Sequence, residues 1–593
     1  MNTKKIIALL LAVMMIVGVL AACAAKGPAE SPKDSDEPKG EAIDLSICLA
    51  SEPESIDPAL NKAVDGAVML HHFFEGLLKW EDNGVEINDK VNGAKIVPGQ
   101  AESWEKVENE DGTVTYTFKL RKDAKWSDGK SVTANDFVYA WQRLANHATA
   151  AEYTYMIDMV KGYSEVYNGI GTGEFETVKD EKTGEESQQE IMDHADPSTL
   201  AVSAPDDHTF VVTLTYDCPY FLEICAFPSA FPVRQDIIEA NGDQWTFDTA
   251  TYIGNGPFKM EEWKHNAYIK AVKNENYYDV DNITTNSINF QLMDDNSAML
   301  SAFDSGTLQY IEQIPVDEVA TRIASGELNI VDYIGTYYAC FNNKKAPFDD
   351  PRVREAFSLV IDRNYIVENV SQAGEVPANG FVPAGIYDAK AADGDDFRTV
   401  GGEYYSVDEK DYQANCEKAR KLLADAGYPN GEGFPAVEYL YNTNDNHKAI
   451  GEALQQMWQT ELGVTVSLNN QEWNVFMQTR QEGNYQIARN GWIADYNDPC
   501  SFLDMWYTNG GNNDAQYSNP DYDALIDAAK ATDVPAERMK AFHEAEDILI
   551  GQDKSLAPIY FYTRYFMLDD SVKGMYYTPL GYFFFGHCYK EAA

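Results

Sequence analysis

Short stretches in which apolar and polar residues alternate recur along the chain, and this pattern predicts β-strands. The clearest stretch covers residues 113–120 and follows an Asp-Gly pair that is typical of a hairpin turn. Two further strands, at 437–441 and 464–468, flank a segment with apolar residues at helical spacing. This order predicts a parallel crossover, so we expect an α/β fold. Other strands are predicted at 42–50, 209–214, 283–292 and 557–562.

Helices are indicated where apolar residues recur every three or four positions behind a capping residue. Thr133 and Asp136 form a capping box in front of one such segment, and Asp350 precedes a proline that begins another. Asn444 or Asp445 caps the helix of the crossover. Further helices are predicted at 64–78, 521–531 and 536–551.

Two neighbouring segments lack these patterns. Residues 169–173 carry glycine at alternate positions without a following helix or dinucleotide-binding spacing, so we expect a loop. Residues 171–199 are rich in glutamate and aspartate, and they predict a solvated acidic insertion.

The composition is that of a large folded protein. The chain has 593 residues, 44% of them hydrophobic, which predicts several domains or one multi-lobed body. Its formal net charge is −49, and this excludes nucleic acid as a partner because phosphate binding requires a basic surface. Solubility explains the charge, and the attraction of cationic ligands is a second interpretation.

The N-terminus has the features of an export signal. Lys4 and Lys5 precede an apolar run at 6–20, and small residues then lead to Cys23. This end resembles the lipobox of bacterial lipoproteins, which implies removal of residues 1–22 and acylation of Cys23. A plain signal peptide with an incidental cysteine is the alternative. Residues 24–40 are rich in proline and charge, so we expect a flexible stalk that tethers an extracytoplasmic domain to the membrane.

The cysteines do not form the pairs typical of a metal site. With Cys23 lipidated, seven of the eight cysteines remain. Cys218 and Cys225 are close enough in sequence to form a disulfide outside the cytoplasm, or they stay buried free thiols. We therefore expect neither a metal nor a cofactor.

The most distinctive candidate site is the stretch from Arg489 to Tyr496. It places a cation, the aromatic residues Trp492 and Tyr496, and Asp495 in an apolar context. A strand pattern at 485–489 predicts that Arg489 lies near a strand end and that Asp495 lies in the irregular segment after it. An aspartate walled by aromatic rings loses hydration and gains from a bound ammonium group. A plain turn-capping role for Asp495 is the alternative.

Several motifs, in conserved order from about residue 43 to the C-terminus, resemble the oligopeptide-binding branch of the family 5 extracellular solute-binding proteins of ABC transporters. They are Trp126-Ser127-Asp128-Gly129, Asn255-Gly256-Pro257-Phe258, Phe348-Asp349-Asp350-Pro351, Gln471-Glu472-Trp473 and Asp495-Tyr496. The resemblance implies capture of short, extended peptides and their delivery to a permease and ATPase complex, by a monomer. It also implies that the protein is not an enzyme.

The same resemblance implies a type II periplasmic-binding-protein fold, in which two α/β lobes joined by two crossing strands enclose the ligand. An extra domain is inserted in the first lobe. The expected division is signal peptide 1–22, linker 23–40, lobe I at 41–79, 227–334 and 561–593, extra domain II at 80–226, and lobe III at 335–560.

The family's ligand-binding residues carry over to matching positions. Asp495 matches the aspartate that holds the peptide ammonium. The cations that take the carboxylate of peptides of different lengths are matched by Arg489, Arg480 and His447. Trp473, Trp492 and Tyr153 match aromatic residues around the ligand. Two family acids are replaced here, by Gly66 and Cys340.

Alternatives remain at this point. Within the family, the alternative ligands to an oligopeptide are a dipeptide, a nickel complex and an oligosaccharide. From another class, a secreted glycosidase would also use carboxylates and aromatic residues. No carboxylate pair marks such an enzyme, and the sequence patterns of serine hydrolases and zinc proteases are missing.

Overall fold

A computed structural model describes residues 40–50, 52–179 and 186–591. The predicted signal peptide, Cys23 and the linker up to residue 39 lie outside this part, so these predictions stay predictions. Among the residues described, no helix combines the length and the apolar character needed to cross a bilayer.

A mixed sheet of eleven strands is the largest element in the described part of the chain. A short strand, Val376–Pro377, pairs with its long strand Leu556–Leu568. The other strands follow in the spatial order Phe258–Lys264, Tyr268–Lys273, Ser287–Gln291, Asp44–Cys48, Tyr310–Ile311, Leu556–Leu568, Leu328–Phe341, Ile487–Ile493, Val437–Asn442 and Val466–Gln471.

Two long antiparallel strands, Leu328–Phe341 and Leu556–Leu568, join the halves of this sheet. Their register shifts between Asp332 and Thr336, so the pairing differs on the two sides of this point. A separate buried core, which includes Phe341 and Trp458, lies in the later half. Two long strands that link two halves of the sheet, with a separate core in the later half, agree with the predicted two-lobed α/β fold.

The predicted crossover is confirmed. Strands Val437–Asn442 and Val466–Gln471 pair in parallel, and helix Asp445–Leu462 connects them. The side chain of Asn444 caps this helix by accepting hydrogen bonds from the N–H groups of the second and third helical residues. Because Trp458 and its neighbours at helical spacing are fully buried, the helix packs onto the sheet through one face.

The capping box is also confirmed. Thr133 and Asp136 begin helix Ala134–Ala145, which buries Phe137 and Trp141. This helix lies in the region predicted as domain II. A four-stranded sheet of the same region has the order Ala101–Glu108, Val114–Leu120, Thr209–Leu214 and Val202–Asp206.

Smaller sheets and further helices complete the described part. One sheet has the strands Tyr582–Phe584, Met575–Thr578, Val91–Pro98 and Leu78–Glu86, and another has Glu41–Ala42, Tyr589–Lys590 and Val572–Lys573. The remaining helices of seven residues or more are Val64–Phe73, Gln235–Asn241, Asn296–Asp304, Val316–Ser325, Pro351–Leu359, Tyr412–Asp425, Trp473–Gln481, Pro520–Lys530 and Pro535–Glu546.

Two local predictions are wrong. The expected loop at 169–173 belongs to a two-stranded hairpin of Ile170–Lys179 and Glu186–Asp193. This hairpin lies in the segment predicted as a solvated acidic insertion, and its residues 171–177 are exposed, as that prediction requires. Both faces of this hairpin meet solvent, with Phe175 60% exposed, so no buried face imposes an alternating pattern. Arg489 lies inside its strand, because pairing with Leu328–Phe341 continues to Ile493.

Two alternatives were left open for Cys218 and Cys225, a disulfide or buried free thiols. Cys218 and Cys225 are buried free thiols, as are the other five cysteines within the described residues. The disulfide alternative is therefore wrong. Burial raises the pKa of both thiols well above the usual range.

Candidate ligand-binding site

A cavity of about 400 Å³ lies where the two lobes face each other. Its walls come from the start of helix Val64–Phe73, from Glu152 and Tyr153 in the region predicted as domain II, from the strand Ile487–Ile493 and its continuation, and from the middle of strand Leu556–Leu568. All seven residues predicted to bind ligand line it, namely Tyr153, His447, Trp473, Arg480, Arg489, Trp492 and Asp495. The volume is within the range of small-molecule sites.

Asp495 supplies a buried carboxylate to this cavity. It is 7% exposed and follows directly after the strand that ends at Ile493. The hydroxyl groups of Tyr155 and Ser501 donate to its Oδ2 at 3.3 and 3.4 Å. No cationic side chain of the described residues contacts it, and burial raises the pKa of Asp495 to about 8. A cation at this position would restore the interactions that the carboxylate loses by burial.

Aromatic rings from both lobes form the wall beside Asp495. The ring of Tyr153 stacks on Trp492 with 6.2 Å between centroids and 7° between planes. Trp492 is fixed further because its Nε1–H donates to the carbonyl of Ser501 at 2.7 Å. Tyr153 also stacks on Phe227 at 5.6 Å. This wall excludes water from the carboxylate and offers flat apolar surface to a ligand.

Arg489 brings a positive charge that no described acidic residue pairs. Its guanidinium lies over the ring of Tyr337 at 5.5 Å, and its Nε has no hydrogen-bond partner. Its other close neighbours are tyrosines, Tyr439, Tyr560 and Tyr562. Such a cation is suited to an anionic group, because a carboxylate would supply both charge and acceptors.

Arg480 has a different environment, although it was predicted for the same role. Its Nε lies 2.7 Å from Oδ2 of Asp514, and its Nη1 donates to Oδ1 of Asn490 at 2.8 Å. Its position near the end of helix Trp473–Gln481 is as predicted. The structure therefore places Arg480 in the cavity wall with its charge already compensated.

His447 lies in the first turn of its helix, as predicted, but it is not a cation. Burial, followed by the nearby charge of Arg489, lowers the pKa of His447 well below its usual range. Its Nδ1 is 3.4 Å from the hydroxyl oxygen of Tyr337. Without a ligand, the side chain therefore offers a neutral imidazole to the cavity at neutral pH.

Trp473 begins helix Trp473–Gln481 at the cavity edge and is partly buried. Its ring stacks on Phe476 at 6.1 Å. Trp473 therefore packs against the core and also lines the cavity.

Two residues of the site were not predicted. Tyr155 donates to Asp495 from a 3₁₀-helix at Glu152–Ile157, and it lies two positions from the predicted Tyr153. Asp514 pairs with Arg480 across 34 positions of sequence, from a segment rich in asparagine and glycine. The repeated tyrosines were a usable indication for Tyr155, whereas turn-like composition conceals the role of Asp514.

Further contacts, at residues outside the cavity lining, join the regions predicted as domain II and lobe III. The rings of Tyr220 and Tyr496 stack at 4.0 Å with 4° between planes. Lys530 pairs with Asp158 at 2.6 Å, and the backbone N–H of Asn497 donates to Glu223 at 2.9 Å. The parts of the chain that line the cavity are therefore in direct contact with each other.

Across the described residues, no group of three or more histidine, cysteine or acidic side chains is arranged to hold a metal ion.

Known proteins share this architecture. The sequence model of the bacterial extracellular solute-binding proteins, family 5, matches residues 95–514. The oligopeptide-binding protein OppA of Bacillus subtilis is 32% identical over 580 residues, which cover 96% of this chain and 97% of that protein.

Two solved proteins have similar structures. Haemophilus influenzae OppA in complex with RPPGFSPFR aligns with a TM-score of 0.80 at 31% identity, over 93% of this chain and 99% of that chain. The Escherichia coli murein tripeptide binding protein MppA gives 0.80 at 29% identity, over 94% and 100%. An unliganded open form of MppA gives only 0.57 at 30% identity, over 92% and 96%, so the lobes here are arranged more as in the complex.

The match of the family model to most of the chain, together with a relative of nearly equal length, establishes that the chain belongs to the bacterial extracellular solute-binding proteins, family 5.

Proposed function

We propose that the protein captures short peptides between its lobes, outside the cytoplasm, and delivers them to the permease and ATPase complex of an ABC transporter. A lipid on Cys23 holds it at the membrane, and it acts as a monomer without a cofactor or catalytic activity. As part of this proposal, the protein has the ranges of signal peptide, linker, lobe I, domain II and lobe III that were expected from the sequence. One observation carries this proposal: Asp495 is a buried carboxylate that no described cation pairs.

Opposite charges in one cavity suit the two ends of a peptide. The ammonium of a ligand pairs with Asp495, and its carboxylate pairs with Arg489. Because every unmodified peptide has both charges, this recognition does not depend on sequence. The polar backbone between the ends pairs with the exposed protein backbone as an added strand. His447 contributes a neutral hydrogen-bonding group, and Trp473, Trp492 and Tyr153 contact ligand side chains.

Relatives support the solute class. Two of the relatives described above are named for oligopeptide and murein tripeptide binding. A neutral oligosaccharide in this cavity would leave Asp495 and Arg489 buried without charged partners, which is costly in free energy. A zwitterionic ligand compensates both charges at once, and this favours peptides over sugars.

The solute class is tested by mass spectrometry of small molecules released when the purified protein is denatured. We expect short peptides with free termini, in mixed sequence. Release of a single sugar or of a metal complex, with no peptide, would contradict the proposal. A matched sample of Asp495→Asn protein serves as the control, and we expect it to release less peptide.

A further inference from the structure

We propose that Asp514 is a specificity-determining residue, because its ion pair with Arg480 leaves Arg489 as the charged anchor for a ligand carboxylate. This inference rests on the proposed function. It concerns which peptide lengths bind, and not whether peptides bind.

The charge of Arg480 is compensated by an ion pair with Asp514, although its Nε–H makes no hydrogen bond of good geometry. Nε lies beside Asp514, Nη1 donates to Asn490, and Nη2 lies 3.2 Å from Sδ of Met477. Its face lies over the ring of Phe476 at 5.1 Å. The amide of Asn490 also donates to Oδ2 of Asp514 at 3.1 Å, which closes a triangle of three side chains. All three are more than nine-tenths buried, so the pair is shielded from solvent.

Two other cations line the cavity, and both are paired. Lys62 lies 2.9 Å from Glu152 and 3.1 Å from Glu54. Arg564 is in an ion pair with Glu312. Of the cationic side chains in the described cavity wall, only Arg489 therefore has no acidic partner.

A single free cation fixes the span of the ligand. Arg489 and Asp495 are six positions apart along nearly continuous extended chain, so their backbones are separated by at most about 20 Å. An extended peptide held at both ends has a comparable length, which corresponds to at most about six residues. Peptides of other lengths lose one of the two terminal contacts.

An unpaired Arg480 would offer a second anchor at a different distance from Asp495, because it belongs to the helix Trp473–Gln481 and not to the strand. Asp514 removes this option by compensating the charge. Substitution of Asp514 by asparagine retains the shape of the side chain and removes its charge. We therefore expect the variant to accept peptides in a second length class.

The experiment measures the affinity of alanine peptides of two to eight residues, with free or amidated C-termini, by calorimetry. The proteins are the parent, Asp514→Asn, and the double variant Arg480→Gln/Asp514→Asn as the matched control. We expect one length optimum for the parent. Asp514→Asn should bind a second length at least tenfold more tightly than the parent does, and amidation should abolish this gain. The double variant should return to the parental profile.

Two results would overturn the inference. One is a folded Asp514→Asn protein, verified by circular dichroism, whose length profile equals that of the parent. The other is a loss of tenfold or more at any length in the double variant, which would show that Arg480 itself holds ligand. The second result is informative even if the single variant does not fold. If the parent binds no peptide of any length, the proposed function fails instead.

Discussion

Asp495 and Asp514 are two aspartates of the same cavity with nearly equal burial, at 7% and 6% exposure. Asp514 has an arginine and an asparagine as partners, whereas Asp495 has only hydroxyl groups and a protein surface of aromatic rings. Burial raises the pKa of both carboxyls, but for Asp514 the charge of Arg480 acts against this rise. Burial alone therefore does not distinguish a structural carboxylate from a binding one, and the presence of a cationic partner does.

The two arginines repeat the same contrast. Arg480 is compensated within the protein, and Arg489 is surrounded by tyrosines. An uncompensated charge in a buried site costs stability, and proteins retain such a cost where function requires it. We therefore assign Asp495 and Arg489 to the ligand, and Asp514 and Arg480 to the wall that shapes it.

The largest expected effect separates the two aspartates by stability. Asp514→Asn leaves Arg480 buried without a counter-charge, so we expect a loss of about 3–5 kcal/mol in the free energy of unfolding. Asp495→Asn removes a buried carboxyl that has no cationic partner and that is costly to ionise at this pH, so we expect no loss and a variant at least as stable as the parent. Denaturant titration of both variants at pH 8 measures the difference. Equal losses of unfolding free energy in the two variants would contradict the distinction between the two aspartates.

A second effect concerns pH. The folded pKa of Asp495 is about 8, above the unfolded value of about 4, so the folded protein binds a proton that the unfolded chain has released between these values. Stability of the protein without ligand is therefore greatest at low pH within this window and falls as pH rises toward 8. The fall is at most about 1.4 kcal/mol per pH unit.

Other carboxyls contribute to the same window, because burial raises the pKa of Asp65 to about 6 and that of Glu223 to about 7. The difference between the parent and Asp495→Asn isolates Asp495. We expect the variant to lose less stability between pH 6 and pH 8. Identical pH profiles would show that Asp495 is already ionised at pH 6. Binding of a free-amine peptide at pH 6 should also release protons from the parent, up to about one per peptide.

The smallest expected effect tests the aromatic wall. Tyr153→Leu removes the stack on Trp492, which joins residues from opposite sides of the cavity. We expect peptide affinity to fall by about 0.5–1.5 kcal/mol, or roughly two- to tenfold. Tyr365→Leu is the matched control, because that side chain is 48% exposed and does not line the cavity. A similar loss of peptide affinity in both variants would show that the stack has no specific role in binding.

Local patterns predicted much of the fold. The crossover at 437–471 followed from alternation, helical spacing and the cap at Asn444, because each of these depends on residues that are neighbours in sequence. The hairpin that begins at Ile170 was missed because its strands bury no face. The extent of strand Ile487–Ile493 was missed because its length is set by pairing with a distant strand.

The sequence predicted which residues line the site better than it predicted the charge states of those residues. Asp495 and Trp492 stand out by composition, and the family resemblance supplied the rest of the lining. The charge states were not predictable, because they depend on long-range contacts. Asp514 lies far from Arg480 in sequence, and His447 is held neutral by burial and by Arg489. Which cation remains available is therefore a property of the folded structure.

The most direct measurement of the central claim is a cycle of affinities between two proteins and two ligands. The proteins are the parent and Asp495→Asn, and the ligands are one peptide with a free amine and its N-acetylated form. For the parent, we expect acetylation to weaken binding by about 1.5–3 kcal/mol, because it removes the charge that pairs with Asp495. In Asp495→Asn the two forms should bind with similar affinity. Equal binding of both forms to the parent, or an undiminished preference in the variant, would contradict recognition of the peptide ammonium by Asp495.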